Sequence, residues 1–147
     1  MIFLDANVPL YAAGRDHPLK APCLRILEAA ANRPEAFTTD AEVFQELLHV
    51  AMRQGRPLTG RTPLANLSEI FGDRVLSFHG RDVLLAAELG EEVGPGLHSR
   101  DLIHLAVMQR HGIEHVVSAD RAFEGVPDVT WLDPARLAEW EDPAWFT

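Results

Sequence analysis

Four acidic residues stand where a cation could use them. Asp5 ends the apolar run "MIFLD". Glu46 lies in "VFQELLHV" with apolar neighbours on both sides. Asp101 follows "HSR" at the start of a helical pattern, and Asp120 follows "HVVSA", 19 positions later. Each has a bland reading: Asp5 and Asp120 as caps of the turns after them, Glu46 as the polar edge of an apolar stripe, Asp101 as a favourable charge in a first helical turn. Carboxylates that converge repel one another and raise one another's pKa, so a cluster of four is costly unless a cation holds it. Oxygen donors favour Mg2+ or Mn2+ over zinc, and no His/Cys spacing suggests zinc. One or two such ions are expected. A pair about 4 Å apart activates water and stabilises the leaving oxygen of a phosphodiester.

The elements that must position these acids follow from periodicity. Short apolar runs at 1–5, "AFTT", "RVLSF", "HVVSA" and "VTWLD" read as five strands. Between them lie helical patterns: "ANVPLYAAG", residues 19–32, a helix capped by Asp40 and closed by Gly55, one through Leu64–Phe71, residues 80–93, and a helix 100–111 capped by Ser99 and closed by Gly112. Pro134 opens a terminal helix, "PARLAEW", and the tail "EDPAWFT" is unassigned. Strands alternating with helices, and apolar on both faces, predict an α/β fold with a mostly parallel sheet covered on both sides. Functional groups gather at the carboxyl ends of such strands, which puts Asp5 and Asp120 at one edge.

Bulk properties narrow the function. The 147 residues suit one domain, 1–147, with 47% apolar and 24% charged residues. A single cysteine, Cys23, excludes an internal disulfide and predicts a cytoplasmic protein. The opening "MIFLDANV" has neither the basic nor the long apolar segment of a secretory leader, and no apolar window is long enough to span a membrane. The net charge of −9 argues against a basic nucleic-acid coat protein, not against an enzyme that meets nucleic acid through metal ions.

The stretches "IFLDANVPLYA", "TTDAEVFQELLHVAMRQGRPL", "HSRDLIHLAVMQRHGIEHVVSAD" and "RAFEGVPDVTWLDP" resemble, in order and over nearly the whole chain, the PIN-domain family of small ribonucleases, and within it the VapC-type toxins. The resemblance implies a three-layer α/β/α fold and a metal site built by Asp5, Glu46, Asp101 and Asp120. Asn7 accompanies the first Asp, and Ser118 is a hydroxyl that orients water or a carboxylate. "ELLHV" matches the family pattern and favours Glu46 as the helix acid, while Glu42, on the same helix face, is kept as a supporting residue. The implied activity is endoribonuclease cleavage leaving a 5′-phosphate and a 3′-hydroxyl. The implied partners are RNA, a second copy of the chain, and a small VapB-like antitoxin.

Other residues are weaker candidates. Arg53, Arg56 and Arg61, with Arg100, could hold RNA phosphates, although a solvated loop explains the first three as well. Arg15, Lys20 and Arg121 border motifs and rank lower still. His104, one turn after Asp101, reads either as a proton shuttle or, more commonly, as a partly buried helix residue with a hydrogen-bond partner; His49 invites the same reading. Two alternatives stand beside it: a PIN nuclease of housekeeping RNA processing, and, from a different class, a non-catalytic acidic binding module. A phosphatase with Asp5 as nucleophile is disfavoured, because position 7 is Asn and Lys20 is the chain's single lysine.

Overall fold

Phe3 and Leu4 leave opposite faces of one strand, and both are fully buried. Val116 and Val117 repeat the pattern one strand over. Such a sheet is covered on both faces. The computed structural model describes residues 1–56 and 62–147. Within them the strands are β1 (Ile2–Leu4), β2 (Phe37–Thr38), β3 (His115–Val117) and β4 (Thr130–Leu132). They run in the order β2-β1-β3-β4, and every neighbouring pair is parallel. The residues that follow β1, β2 and β3 therefore share one edge: Asp5, Thr39–Asp40 and Ser118–Asp120.

The expected five strands are four. "RVLSF" makes one isolated parallel bridge, Asp40 to Leu76. Ala41 N–H donates to Leu76 O at 2.8 Å, and Leu76 N–H donates to Thr39 O at 2.9 Å. The ladder stops there because its partner turns into a helix at Ala41, and because the Ser77 carbonyl accepts from Arg110 Nη2 at 2.7 Å instead.

The helices are α1 (Asn7–Ala13), α2 (Lys20–Asn32), α3 (Ala41–Arg53), α4 (Pro63–Phe71), α5 (Gly80–Val93) and α6 (Ser99–His111). None is long and apolar enough to cross a membrane among the described residues. Asp40 caps α3 as expected, its Oδ1 accepting from Val43 N–H at 3.0 Å. The cap of α6 is His98 rather than Ser99, because Asp101 Oδ2 reaches back to His98 N–H at 2.9 Å. Gly112, at φ 65°, closes α6 in the left-handed region. Since α6 leads directly into β3, its start lies at the carboxyl edge of the sheet. The expected terminal helix is a 3-10 stretch, Pro134–Glu139, interrupted at Arg136 (φ −113°, ψ 26°). The tail docks: Trp145 meets the Phe37 ring edge-on at 5.1 Å, and the Arg25 guanidinium lies 3.8 Å from the Phe146 ring centre.

Two features hold α5 against α6. The helices approach closely at Gly90, where a Cβ would stand 3.0 Å from Leu102 Cδ1 and would need that side chain to shift. Arg110 grips the buried Asp82 through two bonds, Nε to Oδ1 at 2.8 Å and Nη2 to Oδ2 at 3.0 Å. That hydrogen bonding holds the Asp82 carboxyl below the usual range, against the effect of burial. Arg110→Ala strands a buried carboxylate and is expected to cost about 2 kcal/mol at pH 7 in urea denaturation. Asp82's folded pKa is depressed, so its contribution is present above its unfolded value, about 3.9, and is lost as pH falls through the folded one. The gap between wild type and Arg110→Ala should accordingly narrow below about pH 4; equal stabilities at pH 7 would refute the assignment.

Candidate metal centre

Asp5 is buried directly after β1, and both its oxygens are committed. Oδ1 accepts from Ala6 N–H at 2.7 Å; Oδ2 accepts from the Ser118 hydroxyl at 2.6 Å and from Asn7 Nδ2 at 2.9 Å. Ser118 Oγ also accepts from Asn7 Nδ2 and from Asp120 N–H, each at 2.9 Å. Asn7 Oδ1 closes the net by accepting from Ala119 N–H at 2.9 Å. The ends of β1 and β3 are thus tied together around one carboxylate, with Asn7 and Ser118 as the ties.

Helix α3 delivers Glu46 to this edge. One ligand atom each from Asp5, Glu46 and His104 lie within 4.8 Å of one another. Glu42, a turn earlier, is buried but stands outside that group. Its pKa is raised by burial, with the charges of His104 and Asp40 acting in opposite directions. Burial also raises the Glu46 pKa; Arg100 opposes it, and the charges of Asp5 and Asp101 add to it. Asp101 behaves alike: burial raises its pKa, the His98 N–H opposes, and the charge of Asp5 raises it further. Asp101 and Asp120 lie outside the 4.8 Å group. Asp101 is nonetheless within charge reach of Asp5 and Glu46, and Asp120 of Asp101. Asp120 also caps the turn after it, Oδ1 accepting from Ala122 N–H at 2.9 Å, as its reading as a cap expects.

Of the basic candidates, Arg100 reaches this edge, its Nη1 3.7 Å from Glu46 Oε1. Arg53, in the last turn of α3, and Arg56 are exposed. Arg61 lies outside the described residues.

His104 is fully buried, where partial burial was expected, with its ring centre 5.2 Å from that of Phe3. Nδ1 bonds Asp40 Oδ2 at 2.8 Å. Nε2 stands 3.8 Å from Asp5 Oδ1 and is a buried polar atom with no hydrogen-bond partner among the described residues. Burial opposes a charge on this ring, but the bond to Asp40 and the charges of Asp40, Asp5 and Asp101 outweigh it and push the pKa up to about 9. Asp40, read from sequence only as a helix cap, is also the partner of this histidine. The i, i+3 spacing of Asp101 and His104 was the available signal, since it sets both on one helix face. Crowded carboxylates of raised pKa and an orphaned ring nitrogen make a donor set that fits a divalent cation.

Known proteins share this arrangement of chain. The PIN domain family model matches residues 2–129. Ribonuclease VapC23 of Mycobacterium tuberculosis is 39% identical over 123 residues, covering 82% of this chain and 93% of its own. Ribonuclease VapC13 of the same organism is 35% identical over 142 residues, covering 90% of this chain and 99% of its own. Among solved structures, FitAcB from Neisseria gonorrhoeae superposes with a TM-score of 0.66 at 18% identity, over 93% of this chain and all (100%) of its own. VapBC2 from Rickettsia felis, bound to a DNA fragment from its promoter, superposes at 0.57 and 19% identity, over 90% and 98%. These two likenesses are of fold.

Proposed function

We propose, from the premise that this chain belongs to the PIN-domain family, that it is a metal-dependent endoribonuclease toxin that hydrolyses RNA phosphodiester bonds and is neutralised by a cognate antitoxin. The carrying observation is the meeting of Asp5 and Glu46 with the orphaned Nε2 of His104 at the carboxyl edge of the sheet, in a chain whose relatives are named ribonucleases. Neither the housekeeping nuclease nor the acidic binding module is favoured by relatives of that name. Residues 1–147 act as one domain, in the cytoplasm, as a homodimer.

Asp5, Glu46, Asp101 and Asp120 hold Mg2+ or Mn2+, as one ion or two. When bound, such ions supply an activated water and charge stabilisation at the phosphate undergoing displacement. The chain's own residues prepare for this. Asn7 and Ser118 fix the Asp5 carboxylate; Arg100, now beside Glu46, offers a planar guanidinium to an RNA phosphate oxygen. Between α1 and α3 lies a groove of about 460 Å³, lined among others by Leu10, Leu47, Val50, Arg15 and Arg56. It is the surface we assign to the antitoxin segment.

The test is cleavage of total RNA with Mg2+ or Mn2+, against a chelator control. Cleavage that needs the cation supports the reading, and no cleavage under either ion refutes it. Metal should also stabilise the fold by relieving repulsion among the acids. Mn2+ at about 100 times its Kd adds roughly 2.7 kcal/mol, or about 5–10 °C in a thermal melt of a chain this size. An unchanged melting curve at saturating Mn2+ counts against a shared cation site.

A further inference from the structure

We infer that His104 is a nitrogen ligand of the cation, its Nε2 coordinating alongside Asp5 and Glu46, with Asp40 holding the ring from behind. The inference rests on the metal-site reading above and changes its chemistry from an all-oxygen to a mixed nitrogen and oxygen donor set.

Three observations carry it. Nε2 is fully buried and unpartnered, yet its ring belongs to the one group of metal-competent side chains among the described residues. Buried polar atoms are almost always satisfied, so an orphan facing two carboxylates points to an occupant. Second, the tautomer is set. Asp40 is an acceptor whose Oδ1 already takes Val43 N–H, and its Oδ2 lies 2.8 Å from Nδ1. Nδ1 therefore keeps its proton whatever happens at the other nitrogen, so the proton that a metal displaces is the one on Nε2. A histidine that ligates through one nitrogen and donates from the other to a carboxylate is the usual arrangement in metal sites. Third, a charged imidazole alone does not account for the geometry. An Nε2–H would face Asp5 Oδ1 at 3.8 Å, beyond hydrogen-bond range. Binding displaces that proton from Nε2 to solvent, as metal binding to histidine generally does. An imidazole donor suits a transition ion better than Mg2+, so Mn2+ should be preferred.

Pulsed EPR on the Mn2+-loaded protein tests this without relying on activity. The expected spectrum contains a coupling to a directly bound nitrogen, and the coupling changes to the 15N pattern when only histidine is 15N-labelled. His104→Gln should lose the coupling and bind Mn2+ at least about 10-fold more weakly by calorimetry, with a smaller loss for Mg2+. The labelled wild type decides the matter even if His104→Gln fails to fold, since no other histidine is grouped with the acids among the described residues. Bound Mn2+ without histidine coupling overturns this inference and leaves the metal-site reading standing. A coupling that persists in His104→Gln overturns it too. No Mn2+ binding at all overturns both.

Discussion

Asp101→Asn is expected to abolish RNA cleavage and to leave the protein folded, with a melting temperature in the absence of metal equal to or above that of wild type. The choice of residue matters. Both oxygens of Asp5 accept hydrogen bonds from fixed donors, so an amide there would turn its NH2 against one of them and unsettle the β1 terminus. Asp101 spends one oxygen on His98 N–H, and no bond to its other oxygen is formed within the described residues. An asparagine keeps the helix cap with its carbonyl and removes only the charge. That charge is unfavourable in the folded protein. Burial and the neighbouring Asp5 raise the Asp101 pKa, so above the unfolded value the ionised carboxylate costs stability, and neutralising it returns that cost. On the proposed reading of Asp101 as a metal ligand, the balance reverses when a cation is present. Losing several kcal/mol of charge stabilisation at the phosphate slows cleavage by about 10³-fold or more. Wild-type and variant rates on total RNA, beside circular-dichroism melts with and without Mn2+, check all three parts. A folded variant that cleaves normally would remove Asp101 from the site.

The acids were legible because their signal is local. A carboxylate directly after a buried apolar run, or in the first turn of a helix, can be placed from neighbouring residues alone, and parallel strands then bring Asp5 and Asp120 to the same edge. The choice of Glu46 over Glu42 rested on a family pattern; the structure places Glu46, and not Glu42, in one group with Asp5. What failed was non-local. "RVLSF" has the composition of a strand, but its pairing partner enters α3 after one bridge, and nothing within the run itself reveals that. Ser99 is a good cap by type, yet Asp101 selects His98 by bonding its N–H. His104 was named as a candidate, but its full burial and the identity of its partner were not legible. Its burial depends on Phe3 and its polar partner is Asp40, 64 residues away in sequence, so neither the depth nor the bond follows from "RDLIHLA".

Ser118→Ala should show how much of the chemistry depends on holding Asp5 still. The hydroxyl is fully buried and saturated: it donates to Asp5 Oδ2 and accepts from Asn7 Nδ2 and Asp120 N–H. Alanine leaves the Asp120 N–H without its acceptor and the Asp5 Oδ2 with Asn7 alone. Stranded buried groups of this kind cost about 1–3 kcal/mol. The loss of an orienting partner behind a metal ligand typically lowers affinity or activity 10–100-fold. The two effects separate by temperature. Rates measured well below both melting points count folded molecules only, and a drop of about 10–100-fold there reflects misplaced Asp5 and Asp120 rather than unfolding. On the proposed metal-site reading Mn2+ affinity should fall with the rate, because Asp5 and Asp120 have lost their common tie. Undiminished cleavage at undiminished Mn2+ affinity would mean that the bonds joining the ends of β1 and β3 are scaffolding, and that Asp5 finds its working orientation without them.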